Sequence, residues 1–84
     1  MDLESYMLSK GFEREDTGGG FDAYRKQLDD ETYILITKKD DPSAPAGMDE
    51  PITVGYYNIE TENLIKTTTS TIKELQNQPT IFSK

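Results

Sequence analysis

Tyr33-Ile34-Leu35-Ile36, flanked by Thr32 and Thr37, is the only point in the chain where four large apolar side chains stand in a row. A β-branched and aromatic run of this length, bounded by charges, predicts a strand buried on both faces. The rest of the fold must cover it with little material. The chain has 84 residues, of which 33% are hydrophobic. That is one domain's length, and such a domain removes only about 60–65% of its unfolded surface from water. Nearly every large apolar residue is therefore needed in the core, which leaves little for an apolar ligand cavity. On this reading Leu35→Asp should unfold the domain, because an unpaired charge has no place at a doubly buried position.

The covering elements are legible on both sides of the run. Asp2 is a helix N-cap with Glu4 in the first turn, where the helix dipole favours negative charge. Leu3, Tyr6 and Met7 fall on one face, and Leu8 widens that stripe. Lys10 closes the last turn, Gly11 takes a left-handed terminating conformation, and Phe12 folds back on Met7. Glu13 to Gly20, polar and ending in three glycines, reads as a flexible connection. Phe21 to Leu28 reads as a strand, Asp29-Asp30-Glu31 as a turn, and the central strand follows in an antiparallel hairpin. A two-residue turn would pair Tyr24 with Leu35. A three-residue turn would pair Tyr24 with Ile36 and Asp22 with Lys38, moving every side chain to the other face.

Asp40 to Pro51 holds three prolines and Gly47 and reads as a long loop without regular structure. Ile52 to Ile59 resumes as a strand, where Gly55 marks a bulge or a close backbone approach. Glu60 to Asn63 is a turn with Asn63 suited to positive φ, and Leu64 to Thr68 closes a second hairpin. Thr71-Ile72-Lys73-Glu74 has the form of a capping box. Ile72 and Leu75 face one way, Pro79 stops the helix, and Ile81 and Phe82 return the tail to the sheet. The expected fold is a small two-layer α+β domain in which a four-stranded antiparallel sheet of two hairpins lies between an N-terminal and a C-terminal short helix, both on one face.

Composition excludes more than it assigns. There is no cysteine and no histidine, which rules out disulfides, thiolate metal sites and catalytic arrangements of the Ser-His or Cys-His kind. Neither a catalytic constellation nor a cofactor is expected. The acidic, helix-patterned N-terminus does not resemble a secretory signal, and no apolar run approaches a membrane span. A cytoplasmic location and no membrane contact are the expectation. Net charge is −7. Residues 1–42 carry eleven acids and six bases, and the remainder five and three. Neither part is basic, so nucleic acid is disfavoured and a protein with a basic surface is favoured as partner. Monomer and homodimer both remain open.

Three short patterns invite chemistry. Asp16-Thr17-Gly18 matches the core tripeptide of aspartic proteases, but those enzymes bury it after apolar residues, whereas Glu13-Arg14-Glu15 precedes it here. Gly18-Gly19-Gly20 could wrap a phosphate, yet it neither follows a strand nor opens a helix, as phosphate loops do. The acidic clusters lack the ligand spacing of a calcium loop, and no metal site is expected. Two of them, Asp29-Asp30-Glu31 and Lys38-Lys39-Asp40-Asp41, flank the aggregation-prone central run as gatekeepers.

What remains is a non-catalytic, acidic protein-binding module. Its candidate contacts are Asp29, Asp30 and Glu31 on one turn and Asp40, Asp41, Asp49 and Glu50 on the long loop, both expected to project from the sheet. A narrower form is an inhibitor that covers the basic nucleic-acid channel of a nuclease or another DNA-handling enzyme. Several phage-encoded inhibitors of host defence share this profile of small size and negative charge, a likeness of profile and not of motif. The alternative is a single-stranded nucleic-acid binder, with Tyr24, Tyr33, Tyr56 and Tyr57 as a stacking sheet and Arg25, Lys26, Lys38 and Lys39 neutralising phosphates.

Overall fold

A computed structural model describes residues 2–41 and 43–77. The chain runs α1 (Leu3–Ser9), β1 (Glu13–Gly18), β2 (Phe21–Gln27), β3 (Thr32–Lys38), β4 (Ile52–Asn58), β5 (Leu64–Ser70) and α2 (Ile72–Leu75). The strands form one antiparallel sheet in the order β1-β2-β3-β4-β5, a meander with β3 at its centre. The α+β class and the flanking helices match expectation. The sheet has five strands rather than four, because Glu13–Gly18 is a strand and not a flexible connection.

That extra strand had no apolar signal because it is an edge whose side chains are polar and charged. Cross-strand ion pairs fasten it instead: Arg14 to Asp22 at 2.9 Å and Arg25 to Glu15 at 3.0 Å. Gly19 and Gly20 make the turn into β2, with φ of +64° and +83°. Two consecutive positive φ values are what a tight hairpin of the mirror-image type requires.

The first helix ends as its sequence predicts. Ser5 N–H donates to Asp2 Oδ1 at 2.8 Å at the N-cap. At the other end Gly11 has φ +92°. Phe12 N–H donates to Met7 O, and Gly11 N–H to Leu8 O, the paired bonds of a Schellman termination. Leu3 and Met7 are buried, but Leu8 stays 50% exposed and does not widen the buried stripe.

Tyr24 pairs with Ile36, so the β2–β3 hairpin takes the second of its two possible registers. The reason is local. Asp29 Oδ1 accepts from the N–H groups of Glu31 and Thr32, and Leu28 N–H donates to Thr32 O. This register turns Tyr24, Ile34, Ile36, Val54 and Ile52 to one face, where they meet Leu3, Met7, Phe12, Ile72 and Leu75. The central run is therefore fully buried on one face only. Ile34 and Ile36 are inaccessible, whereas on the opposite face Tyr33 is buried with 9% exposure and Leu35 is intermediate. The doubly buried strand is corrected accordingly, and the charge test belongs at Ile34 or Ile36.

At the β4–β5 turn it is Glu62, with φ 61°, and not Asn63 that adopts positive φ. The irregularity in this hairpin falls between Tyr56 and Tyr57. Gly55 marks the other expected option, a close approach, since the Tyr57 ring lies over it. Thr71 Oγ1 accepts from Glu74 N–H at 3.1 Å, so the hydroxyl half of the capping box forms. Pro79, Ile81 and Phe82 lie outside the described residues.

Candidate functional site

The seven carboxylates singled out by sequence do not form one surface. In a meander, alternate turns lie at the same end of the sheet. Asp29, Asp30 and Glu31 sit at one end, and Asp40, Asp41, Asp49 and Glu50 at the other. Three of the seven are engaged in shaping their own loops. Asp29 caps its turn, Asp41 accepts from the N–H and hydroxyl of Ser43, and Glu50 Oε1 accepts from the N–H groups of Ala46 and Gly47. The Ser43 hydroxyl and N–H hold the Asp41 carboxyl below the ordinary aspartate value.

The long loop does not project. Ala44 and Met48 pack against the core, and Met48 O accepts from Lys73 N–H of α2 at 3.0 Å. Lys38 N–H donates to Ser43 O, and Lys39 N–H to Pro51 O. The loop thus covers one end of the hydrophobic layer, and Lys38, Lys39 and Lys73 lie at the same end as its carboxylates. This end is electrically mixed.

Among the described residues, the opposite end carries its bases at the α1–β1 connection alone, where Lys10 closes α1 and Lys26 folds against Gly11 and Phe12; the charges on its two turns are all acidic. Ile59 N–H donates to Glu31 O at 2.8 Å, which holds the β4–β5 turn against the β2–β3 turn. Glu60 and Glu62 thereby join Asp29, Asp30 and Glu31, and neither turn contains a basic residue. All five carboxylate residues are exposed. The Tyr33 hydroxyl registers this field: burial raises its pKa, and the Glu62 carboxylate raises it further. Sequence reasoning identified the Glu60–Asn63 turn but not its neighbour. The alternation of turns in a meander was the available signal.

The sheet face opposite the helices carries a second arrangement. Tyr33 and Tyr57, paired across β3 and β4, stack with ring centroids 5.3 Å apart and planes 12° from parallel. Arg25, from β2 on the other side of β3, places its guanidinium carbon 4.3 Å from the Tyr33 centroid. Its Nε meets Glu15 at 3.0 Å. The residues expected to stack and neutralise a single strand are divided between the two faces. Tyr24 is buried under the helices, and Lys26, Lys38 and Tyr56 share the register of that covered face. Arg25, Tyr33 and Tyr57 share the open one, and Lys39, paired with Pro51 just beyond β3, follows the same alternation. Two tyrosines stacked on each other under a paired arginine do not offer a basic track for a phosphate backbone.

The remaining motifs resolve into structure. Asp16 is exposed on the β1 edge opposite Asp22, and Gly18 to Gly20 lead one strand into another. Among the described residues no group of three acidic side chains is placed to hold a metal ion, and no helix is long and apolar enough to cross a membrane. No protein-family model matches the chain, and searches of curated proteins and of solved structures found no match to it.

Proposed function

We propose that this chain is a non-catalytic binding module that docks the acidic end of its sheet on a basic surface of another protein. The observation that carries this reading is the joining of the Asp29–Glu31 and Glu60–Glu62 turns by the Ile59–Glu31 hydrogen bond, with no basic residue in either. Five like charges on two adjoining turns outweigh Lys10 and Lys26 at the same end, and a local excess of this kind steers a cationic partner and orients it. The loop carboxylates Asp40, Asp41, Asp49 and Glu50 leave the docking surface, since their end is mixed in charge and two of them are engaged in the loop. The narrower form, covering the nucleic-acid channel of a nuclease or DNA-handling enzyme, uses the same end as a substitute for phosphates.

The test compares the chain with an Asp30→Asn, Glu31→Gln, Glu60→Gln, Glu62→Gln variant, leaving Asp29 to cap its turn. Immobilised wild type should retain a defined protein from a cognate lysate, with retention falling steeply as salt rises, and the variant should lose it. Duplex DNA should compete if the partner surface is a nucleic-acid channel. Equal retention by both chains, or substrate turnover by the purified protein, would overturn the proposal.

A further inference from the structure

The two edges of the sheet are treated differently. A free strand edge is a template for another strand, and proteins blunt it with charge. The β1 edge carries Glu13, Arg14, Glu15 and Asp16. The β5 edge carries one charge, Lys66, whose ammonium sits 4.7 Å from the Tyr56 ring centroid and so folds back over β4 rather than standing at the edge. Asn63 to Lys73 contains no carboxylate over eleven residues, in a chain with sixteen. Leu64 and Ile65 are 53% and 56% exposed, and among the described residues nothing pairs with the outer side of β5.

Which backbone groups face outward follows from the ladder. Ile59 N–H to Glu31 O and Lys39 N–H to Pro51 O mark hydrogen-bonded pairs at both ends of β3–β4. Alternation through the register then makes Tyr33/Tyr57, Leu35/Gly55 and Thr37/Thr53 hydrogen-bonded pairs as well. Ile52, Val54 and Tyr56 consequently bond toward Ser70, Thr68 and Lys66. Thr67 and Thr69 direct their N–H and C=O groups to the open side.

We infer that the β5 edge is a self-association surface, on which two copies pair β5 with β5 antiparallel about a two-fold axis at Thr68 and join their sheets. The chemistry of Lys66-Thr67-Thr68-Thr69-Ser70 is near-palindromic, so the axis sets Thr67 opposite Thr69 of the second copy and Thr68 opposite its equivalent. Cross-strand threonine pairs of this kind are favourable. Lys66 meets a serine, and the two lysines stand about 13 Å apart along the strands, beyond the screening length of physiological salt. Antiparallel pairing also sends the two acidic ends to opposite ends of the joined sheet, whereas parallel pairing would place them side by side. The edge is short, so association is weak and concentration-dependent. The inference does not depend on the acidic-end proposal, and the four-site charge variant should still self-associate.

The absence of native cysteine makes the register directly testable. Across the axis Thr68 faces its equivalent in a non-hydrogen-bonded pair with Cα atoms about 4.5 Å apart, a span a disulfide can bridge. Under mild oxidation Thr68→Cys should cross-link to a dimer at least about ten times faster than Thr67→Cys or Thr69→Cys, whose equivalents lie out of disulfide reach. Wild type should sediment with rising apparent mass between about 1 μM and about 1 mM. Thr69→Pro removes an N–H the fold does not use and should stay monomeric with an unchanged circular dichroism spectrum. A monomeric mass for wild type across that range, or cross-linking of Thr68→Cys no faster than its neighbours, would overturn the inference.

Discussion

Gly55 and Tyr57 make a sharp test of the open face. A Cβ at position 55 would stand 2.8 Å from Tyr57 Cε1 and 3.3 Å from its hydroxyl oxygen, closer than van der Waals contact allows. Gly55 has no positive φ, so alanine meets no backbone strain there. Two opposed terms follow. Replacing a strand glycine by alanine stabilises by about 0.5–1 kcal/mol through the unfolded chain. The methyl group must displace the Tyr57 ring, and the stack on Tyr33 at 5.3 Å is a pair of the kind that contributes about 0.5–1.5 kcal/mol. In wild type the terms offset, and Gly55→Ala should change stability by no more than about 0.5 kcal/mol. In a Tyr57→Ala background only the favourable term survives, and the same change should stabilise by about 0.5–1 kcal/mol. Urea unfolding followed by far-ultraviolet circular dichroism yields all four corners of the cycle, with coupling near 1 kcal/mol. The same effect of Gly55→Ala in both backgrounds would refute the reasoning, because it would mean that the ring does not rest on the glycine.

Two further expectations concern the two faces and the ends. Ile36→Ala should cost about 2–5 kcal/mol, the range for truncating a fully buried isoleucine, while Leu35→Ala on the open face should cost less than half as much; equal losses in urea midpoint would contradict the one-sided burial. In acid, Asp2 and Asp41 matter. Backbone donation from Ser5 lowers the pKa of the first, and the Ser43 hydroxyl lowers that of the second. Groups lowered in the folded state contribute stability that is complete above their ordinary value and lost as pH falls through the folded one. The stability difference between wild type and an Asp2→Asn, Asp41→Asn variant should thus hold from neutrality down to about pH 5 and shrink below about pH 4; a difference independent of pH would sink the assignment. In base the sign reverses for Tyr24, whose pKa burial raises while Arg14 draws it part of the way back. Its contribution is complete below the ordinary tyrosine value and lost as pH climbs through the folded one, and Tyr24→Phe should remove that alkaline step.

Local signals were legible because their energetics are local. Lys10-Gly11-Phe12 encodes the end of α1, since glycine alone takes φ +92° without strain. Thr71 anchors the turn of α2 for a similar reason. The β2–β3 register was narrowed to two and was decided by Asp29, whose carboxylate selects the longer turn. β1 was not legible, because an edge strand held by Arg14–Asp22 and Arg25–Glu15 needs neither apolar alternation nor β-branched residues. The glycine pair that turns it into β2 was the overlooked sign. The candidate site failed at a different level. Carboxylates of one turn were grouped by sequence neighbourhood, whereas surfaces are assembled by topology, which set Glu60 and Glu62 beside Glu31 and sent Asp40 to Glu50 to the far end. The loop's packing was hidden in Ala44 and Met48, residues too small or too isolated to stand out as core.

The same distinction changes what the acidity explains. Charges flanking Thr32–Thr37 look like gatekeepers, and in the unfolded chain they isolate its most aggregation-prone segment. In the folded sheet β3 is central and paired on both sides, so the strand they flank has no edge left to protect. Protection is needed at β1 and β5. The first receives three carboxylates and an arginine; the second, in the longest carboxylate-free stretch of the chain, receives none. Had the acidity served solubility alone, the open edge is where it would be most useful. Among the described residues that edge lies open, and the missing acidity there, beside the exposed Leu64 and Ile65, is the physical argument for the proposed pairing of β5 and for the proposed docking through the Asp29–Glu62 end.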